Sequence, residues 1–369
     1  MNQLFRWDQM GLFLLALAAG ILPFAVPEVC AAALREGLTL CCGPLLLSLF
    51  PFLVVSRLLI QCPESDLLAL PFRLAAWGIG IRTPCAARVL CIGFLGGFAP
   101  AASAAAQAVR TGQLTAEEAD ALLPACICSG PSFVVLTVGQ SLLGSAELGV
   151  LLFASQITAN YLTAALLNRF AGVRSVKPGS AAPASPAPPR LDEILADAAI
   201  TYCKLCGFIL FFRMLAAGAG ALLPAGAGTL CAILLEVCSG CDLASRTGRW
   251  GSLLCCAALS VQGLSVLLQV RTICPAEMTL RPLYRSRLLH LPLSLALFYL
   301  LLPGGEADVF STLPARVLLM RRVPPDCALL VFAVCCMAAC TLRSGIRQVE
   351  QKQMARNAGG CCINSKTLL

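Results

Sequence analysis

Charge is what this chain has least of. Only 12% of its 369 residues are Asp, Glu, Lys or Arg, about half the roughly 25% usual in a soluble domain. That shortage excludes an ordinary globular enzyme. The chain has a single histidine, which argues against a zinc centre, because such sites draw on cysteine and histidine together. It argues equally against histidine catalysis: His290 follows Arg285 and Arg287 at the start of an apolar run, with no acidic residue close in sequence. There it is expected to meet headgroups or a neighbouring carbonyl. No Walker or dinucleotide glycine pattern occurs, so ATP-driven pumping has no support. No enzyme activity, cofactor or metal is expected.

What the chain has in abundance is apolar sequence, 58% of the total. With so little charge, this demands a polytopic membrane protein whose first partner is the lipid bilayer. The net charge of +8 sits in loops between apolar segments and forms no stripe with aromatics. Orientation in the bilayer explains it, and nucleic acid is not an expected partner. The 22 cysteines include two Cys-x-x-Cys pairs, Cys203/Cys206 and Cys238/Cys241, which such abundance gives by chance. Inside spans they read as small apolar residues that let helices pack closely.

The rest is organised around residues 125–140, ACICSGPSFVVLTVGQ. The stretch is apolar, yet Ser129-Gly130-Pro131-Ser132 interrupts it, and Pro131 has no N–H to continue a helix. Broken backbone at membrane depth survives only where protein or water satisfies it, which marks a candidate binding site. A second copy follows. Residues 258–269, ALSVQGLSVLLQ, align with 125–136, setting Gly263 under Gly130 and Ser265 under Ser132. Upstream, Ala108-Val-Arg110-Thr111-Gly112 aligns with Ala244-Ser-Arg246-Thr247-Gly248, and a three-residue insertion separates the two registers.

Taken in order, residues 9–27 are read as an anchor span within an N-terminal unit of 1–37. A second span at 38–60 follows, kinked at Pro44 and Pro51. Residues 84–109 hold Gly93, Gly96, Gly97 and Pro100 at their centre, which suits a re-entrant hairpin. Thr115-Ala-Glu-Glu118 is a capping-box pattern that starts the next helix. Residues 147–168 span, with Gln156 and Asn160 as polar points. A Pro/Ala/Ser tether, 171–190 and on to 197, then separates a first membrane repeat (38–170) from a second (198–303). The second repeat holds a span at 198–223, a short segment at 229–243, the broken span at 251–270 and a span at 288–303. A C-terminal element at 304–342, spanning at 325–342, and a basic tail at 343–369 close the chain. If 84–109 and 229–243 both turn back within the membrane, basic loops gather strongly on one side, as the positive-inside rule requires. Arg316, Arg321 and Arg322 remain on the wrong side. The expected fold is therefore all-α, with eight spans and two re-entrant hairpins. It forms an inverted repeat of two halves, each with a hairpin and a broken helix, and both termini are cytoplasmic. That is a secondary-transporter plan.

The order of these pieces resembles the sporulation integral membrane proteins of the YlbJ type, relatives of the nucleoside-recognition (Gate) domain proteins. In the first half the resemblance rests on Phe50-Pro51-Phe52-Leu-Val-Val-Ser56, Gly93-Phe-Leu-Gly96-Gly97-Phe98-Ala-Pro100, Gly112-Gln-Leu-Thr-Ala-Glu117-Glu118-Ala119 and Ser129-Gly130-Pro131-Ser132-Phe133. In the second it rests on Leu235-Glu236-Val-Cys-Ser239-Gly240, Gln262-Gly263-Leu-Ser265-Val266-Leu-Leu-Gln269 and Arg287-Leu-Leu-His290. It covers roughly residues 40–300. It implies a Gate-type fold in the cytoplasmic membrane of an endospore-forming bacterium, with a role in spore formation and a nucleoside-like solute. The chain departs from the family pattern at Gly97-Phe98-Ala-Pro100 and at Cys126-Ile127-Cys128, and both departures remove polarity.

The expected solute-binding residues are Ser129, Gly130, Ser132, Gln262, Gly263, Ser265 and Gln269 at the two breaks, joined by Ser103 and Gln107 from the first hairpin. Each also reads as packing and backbone satisfaction, worth about 1 kcal/mol or less per interhelical bond. Glu236 is the expected coupling residue, since a carboxylate at membrane depth costs roughly 2.5–3.5 kcal/mol and must be paired, protonated or wet. Its bland alternative is a fixed pair with Arg213. Arg57, near a span end, is expected to snorkel. A non-transporting assembly or envelope-maturation factor is the other reading of function. A homo-oligomer or spore-envelope proteins would then be its partners.

Overall fold

Proline and glycine decide where these helices begin and stop. The computed structural model describes residues 2–61, 66–171 and 191–302. Nearly all of the tether at 171–190, the C-terminal element and the basic tail lie outside the described residues, as do Arg316, Arg321 and Arg322. The described chain is all-helical, without a strand.

Helix α1 (Asn2–Ala25) is followed by α2 (Pro27–Cys42), which opens on Pro27 at a position whose N–H no helix uses. The chain bends by 110° between them. The second span differs from the expected 38–60: it divides at Gly43, and Pro44 begins a separate helix α3 (Pro44–Gln61). Pro44 restarts the helix rather than kinking it, because the first residue of a helix needs no donor. Pro51 lies inside α3. A short α4 (Leu70–Gly78) lies between the span at 38–60 and the segment at 84–109.

Both glycine-interrupted segments form helix–break–helix pairs. Residues 84–110 give α5 (Pro84–Gly96) and α6 (Phe98–Arg110), divided at Gly97. The pair turns back on itself: Arg88, in the second turn of α5, reaches Gln113, just beyond α6, at 3.0 Å. The second pair is α10 (Ala225–Leu235) and α11 (Val237–Ser245), divided at Glu236, with Gly240 packed on Ile233.

The broken stretches are broken as expected. Helix α7 (Ala116–Cys126) starts on the capping box. The Thr115 hydroxyl accepts from the Glu118 N–H at 3.1 Å, and the Glu118 carboxylate accepts from the Thr115 N–H at 3.2 Å. Residues 127–130 leave the helix, and the chain resumes as a π-helical segment (Ser132–Leu142) before α8 (Ala146–Ala171). In the second half α9 (Leu191–Leu222) precedes the hairpin, so residues 191–197 are its first turns. Helices α12 (Gly251–Val261) and α13 (Gly263–Ile273) then meet at Gln262, and α14 (Arg281–Leu301) ends the described chain. Among the described residues three helical stretches are long and apolar enough to cross a membrane, 146–171, 191–222 and 248–273 taken through its break, or four if the bent α1–α2 pair is one span.

The duplicated Ala-x-Arg-Thr-Gly sequence folds the same way twice. The Thr111 hydroxyl returns to the Ala108 carbonyl and the Thr247 hydroxyl to the Ala244 carbonyl. Gly112 and Gly248 follow with φ of 69° and 64°, the left-handed helix stop that glycine allows without strain. Small residues bury the interior: Ala101, Ala102, Ala104, Ala105 and Ala108 of α6 are all inaccessible, so backbones approach closely, as they do between membrane helices. Large apolar side chains such as Phe13, Phe24, Phe170 and Leu300 are exposed, which suits a lipid environment.

Candidate functional site

The two breaks and the two hairpin tips meet. In the first half Gly97 lies directly on the break: a side chain there would come within 2.7 Å of the Gly130 nitrogen and 3.2 Å of the Cys128 carbonyl. Gly97 also has φ of 80°, so glycine is required for conformation and for space. The second half repeats the contact. A side chain on Gly263, at φ of 69°, would come within 2.9 Å of the Glu236 nitrogen and of the Leu235 carbonyl. Hairpin tip on helix break is thus built twice, and the break glycines in the two contacts, Gly130 and Gly263, are the pair that the sequence copies align.

Between these contacts lies a crevice of about 60 Å³. Its polar lining is Ser129, Ser132, Glu236 and Gln269, with the Gly97 and Gly130 backbone beside them. The Ser129 and Ser132 hydroxyls make no hydrogen bond among the described residues. Gln269, 1% exposed, donates to the Ser265 hydroxyl at 2.9 Å and leaves its amide oxygen without a partner. Three half-helices begin at the crevice, α6 at Gly97, the π-helical segment at Ser132 and α11 at Glu236, and helix starts carry partial positive charge.

Glu236 fills one of those starts itself. It caps α11, its carboxylate accepting from the Cys238 N–H at 2.8 Å, the Ser239 N–H at 2.7 Å and the Ser239 hydroxyl at 2.9 Å. The fixed pair with Arg213 is not formed. Arg213 binds Glu36 of α2 at 2.7 Å instead, because the separate α2 lies against α9, with Gly37 against Leu210 and Arg213.

Of the remaining expected residues, Ser265 joins through Gln269. Gln262 sits at the second break in left-handed backbone, φ 64°, buried and with its amide oxygen unpartnered. Ser103 lies apart, in a separate cavity of about 150 Å³ lined also by Arg57, Arg110, Asp197, Thr201 and Lys204. Gln107 is half-buried and lines neither space. Arg57 does not snorkel: it is buried and bonded to Asp197, Thr201 and Ser103.

Residues that sequence reasoning left out are the apolar walls, among them Leu49, Phe52, Phe133 and Ile209, and the buried Arg287. Arg287 donates to the carbonyls of Ile127 at 3.3 Å and Ser260 at 3.4 Å. His290, also buried, lies 3.2 Å from the Gln156 carbonyl. Both project from α14 into the interior, because that helix begins seven residues before the expected span at 288. Among the described residues no group of three His, Cys, Asp or Glu side chains is placed to hold a metal.

No protein-family model, curated protein or solved structure matches the chain.

Proposed function

We propose that the protein is a membrane permease for a small polar solute, nucleoside-like by the resemblance set out above, and that it acts in spore formation. The observation that carries this reading is the convergence of both hairpin tips, the first helix break and Gln269 of α13 on one crevice with unspent hydrogen-bonding groups. Half-helix starts facing a cavity suit an electronegative solute group. Ser129, Ser132 and Gln269 supply directional contacts.

The inverted repeat belongs to the same proposal, and α9 supplies a ruler for it. Arg110, at the end of the first hairpin, shares a cavity with Lys204. Leu243, near the end of the second hairpin, packs 3.7 Å from the position of a side chain on Gly220. Lys204, near the middle of α9, and Gly220, near its C-terminal end, are about 24 Å apart along the helix, so the hairpins return to different levels of α9. This supports halves of opposite orientation, with each hairpin re-entrant from its own side.

Glu236 is the proposed coupling residue. A proton taken up onto its carboxylate from the solution on one side neutralises it and displaces one of the three hydrogen bonds it accepts. The start of α11, and with it the wall of the crevice, is then less firmly held. At about 60 Å³ the crevice holds a few waters and not a nucleoside, so the described state is closed and solute entry requires the halves to part. Glu236→Gln should abolish proton-coupled uptake of nucleosides into vesicles while membrane insertion is retained. Uptake at the wild-type rate would remove Glu236 from the mechanism.

The small, largely apolar crevice also favours a second reading, a non-transporting assembly factor that keeps the fold as a packed scaffold. A chain ending at residue 343 separates the two. The permease keeps its flux without the tail, whereas the scaffold loses its protein partners and has no flux to keep.

A further inference from the structure

Each broken helix has a carbonyl end as well as an amide end, and both carbonyl ends face one side chain. Helix α7 stops at Cys126 and α12 at Val261. Arg287 of α14 lies between them, 8% exposed, one guanidinium nitrogen on the Ile127 carbonyl and another on the Ser260 carbonyl. Asn160 also donates to the Ile127 oxygen, at 3.4 Å. Among the described residues no carboxylate pairs with Arg287, and its Nε has no partner. A buried guanidinium without a counter-ion needs negative charge from elsewhere. Two helix ends supply it, since each carries about half a negative charge, together close to the single positive charge of the side chain. Both contacts are longer than a good charge-assisted bond of about 2.7–2.9 Å, so the side chain lies loosely between the two ends.

We propose that Arg287 is a resident counter-cation: its guanidinium fills a cation site formed by the carbonyl ends of both broken helices, and removing the side chain opens that site to a free monovalent cation. In transporters built on broken helices, half-helix carbonyl ends are where coupling Na⁺ is coordinated. Here that position is already taken by a charge the chain carries with it. Coupling through Na⁺ at this position is therefore closed off. This last step rests on the permease reading. The cation site itself does not.

The test reads stability and needs no solute. Thermal unfolding of the detergent-purified full chain is followed in NaCl, KCl, choline chloride and methylguanidinium chloride, for wild type and Arg287→Ala. The wild-type midpoint should be the same in Na⁺ and choline at equal ionic strength. Arg287→Ala should unfold at lower temperature and recover by about 2 °C or more in millimolar methylguanidinium or in Na⁺, relative to choline. A folded Arg287→Ala indifferent to every cation overturns the proposal. So does a wild type specifically stabilised by Na⁺, a measurement that stands even where the variant does not fold. Because flux is not measured, failure here leaves the Glu236 uptake experiment untouched, and failure of uptake leaves the cation site untouched.

Discussion

Gly263 and Gly248 have nearly the same left-handed backbone, φ of 69° and 64°, in different surroundings. A methyl on Gly263 meets the backbone of Leu235 and Glu236 at 2.9 Å, whereas one on Gly248 meets nothing within 4 Å. Gly248→Ala should cost only the conformational strain, about 1–2 kcal/mol. Gly263→Ala adds a clash with backbone that cannot rotate away, for a total of about 2–5 kcal/mol. Thermal unfolding of the two purified variants should rank them in that order; equal losses would mean that Gly263 is needed for its φ alone. At this scale the sequence was most legible for glycine, proline and the capping box, which act on neighbouring backbone. Partners distant in the chain were not legible. Arg213 chose Glu36, and Arg57 chose Asp197 over the surface. Asp120 accepts from the Thr279 and Leu280 N–H groups just before α14, a contact that depends on how α7 and α14 dock.

Helix starts carry much of the order at the next scale. The α7 start is held by two reciprocal bonds, and Glu118 has a further duty, accepting from the Thr83 hydroxyl just before α5 at 2.6 Å. Thr115→Ala should cost about 1 kcal/mol. Glu118→Ala should cost more, about 2–3 kcal/mol, since it frees a part-buried hydroxyl as well as two ends of the box. Denaturant or thermal unfolding of each variant checks the ranking, and a smaller loss for Glu118→Ala would show that the Thr83 contact contributes nothing. The breaks at Pro131 and Gly263 and the interruption at Gly97 were legible, because proline without an N–H and glycine without a side chain act within one turn, whereas the interruption at Glu236 carries neither residue and was not. The π-helical winding after Pro131 and the left-handed Gln262 were not. Both lie at close backbone contacts with another element, Gly149 of α8 against Gly139 inside the π-helical segment and the Glu236 tip against Gly263 beside Gln262. The restart at Pro44 was misread as a kink, because proline serves both roles and only the bend of the preceding glycine separates them.

For the molecule as a whole, composition made the all-helical, apolar character legible, and self-similarity is the ground on which two related units are proposed. What sequence could not supply is where the units touch. Their crevice is walled by α3 and α9, whose residues belong to neither duplicated motif, and the expected Ser103 falls instead in a separate basic cavity. Glu236 at one hairpin tip and Gly97 at the other occupy corresponding places, yet only one carries a charge. The two tips are thus alike in dividing a helix pair at one residue and different in chemistry.

The central claim is that these frames have opposite orientations in the bilayer. It is tested most directly by epitope tags inserted after Gly112 and after Gly248, the matching exposed turns that follow the two hairpins. Antibody accessibility is read in intact and in permeabilised cells. The tag after Gly248 should be reached in intact cells and the tag after Gly112 only after permeabilisation. Both tags on the same face of the membrane would contradict the inverted repeat and remove the proposed solute pathway with it.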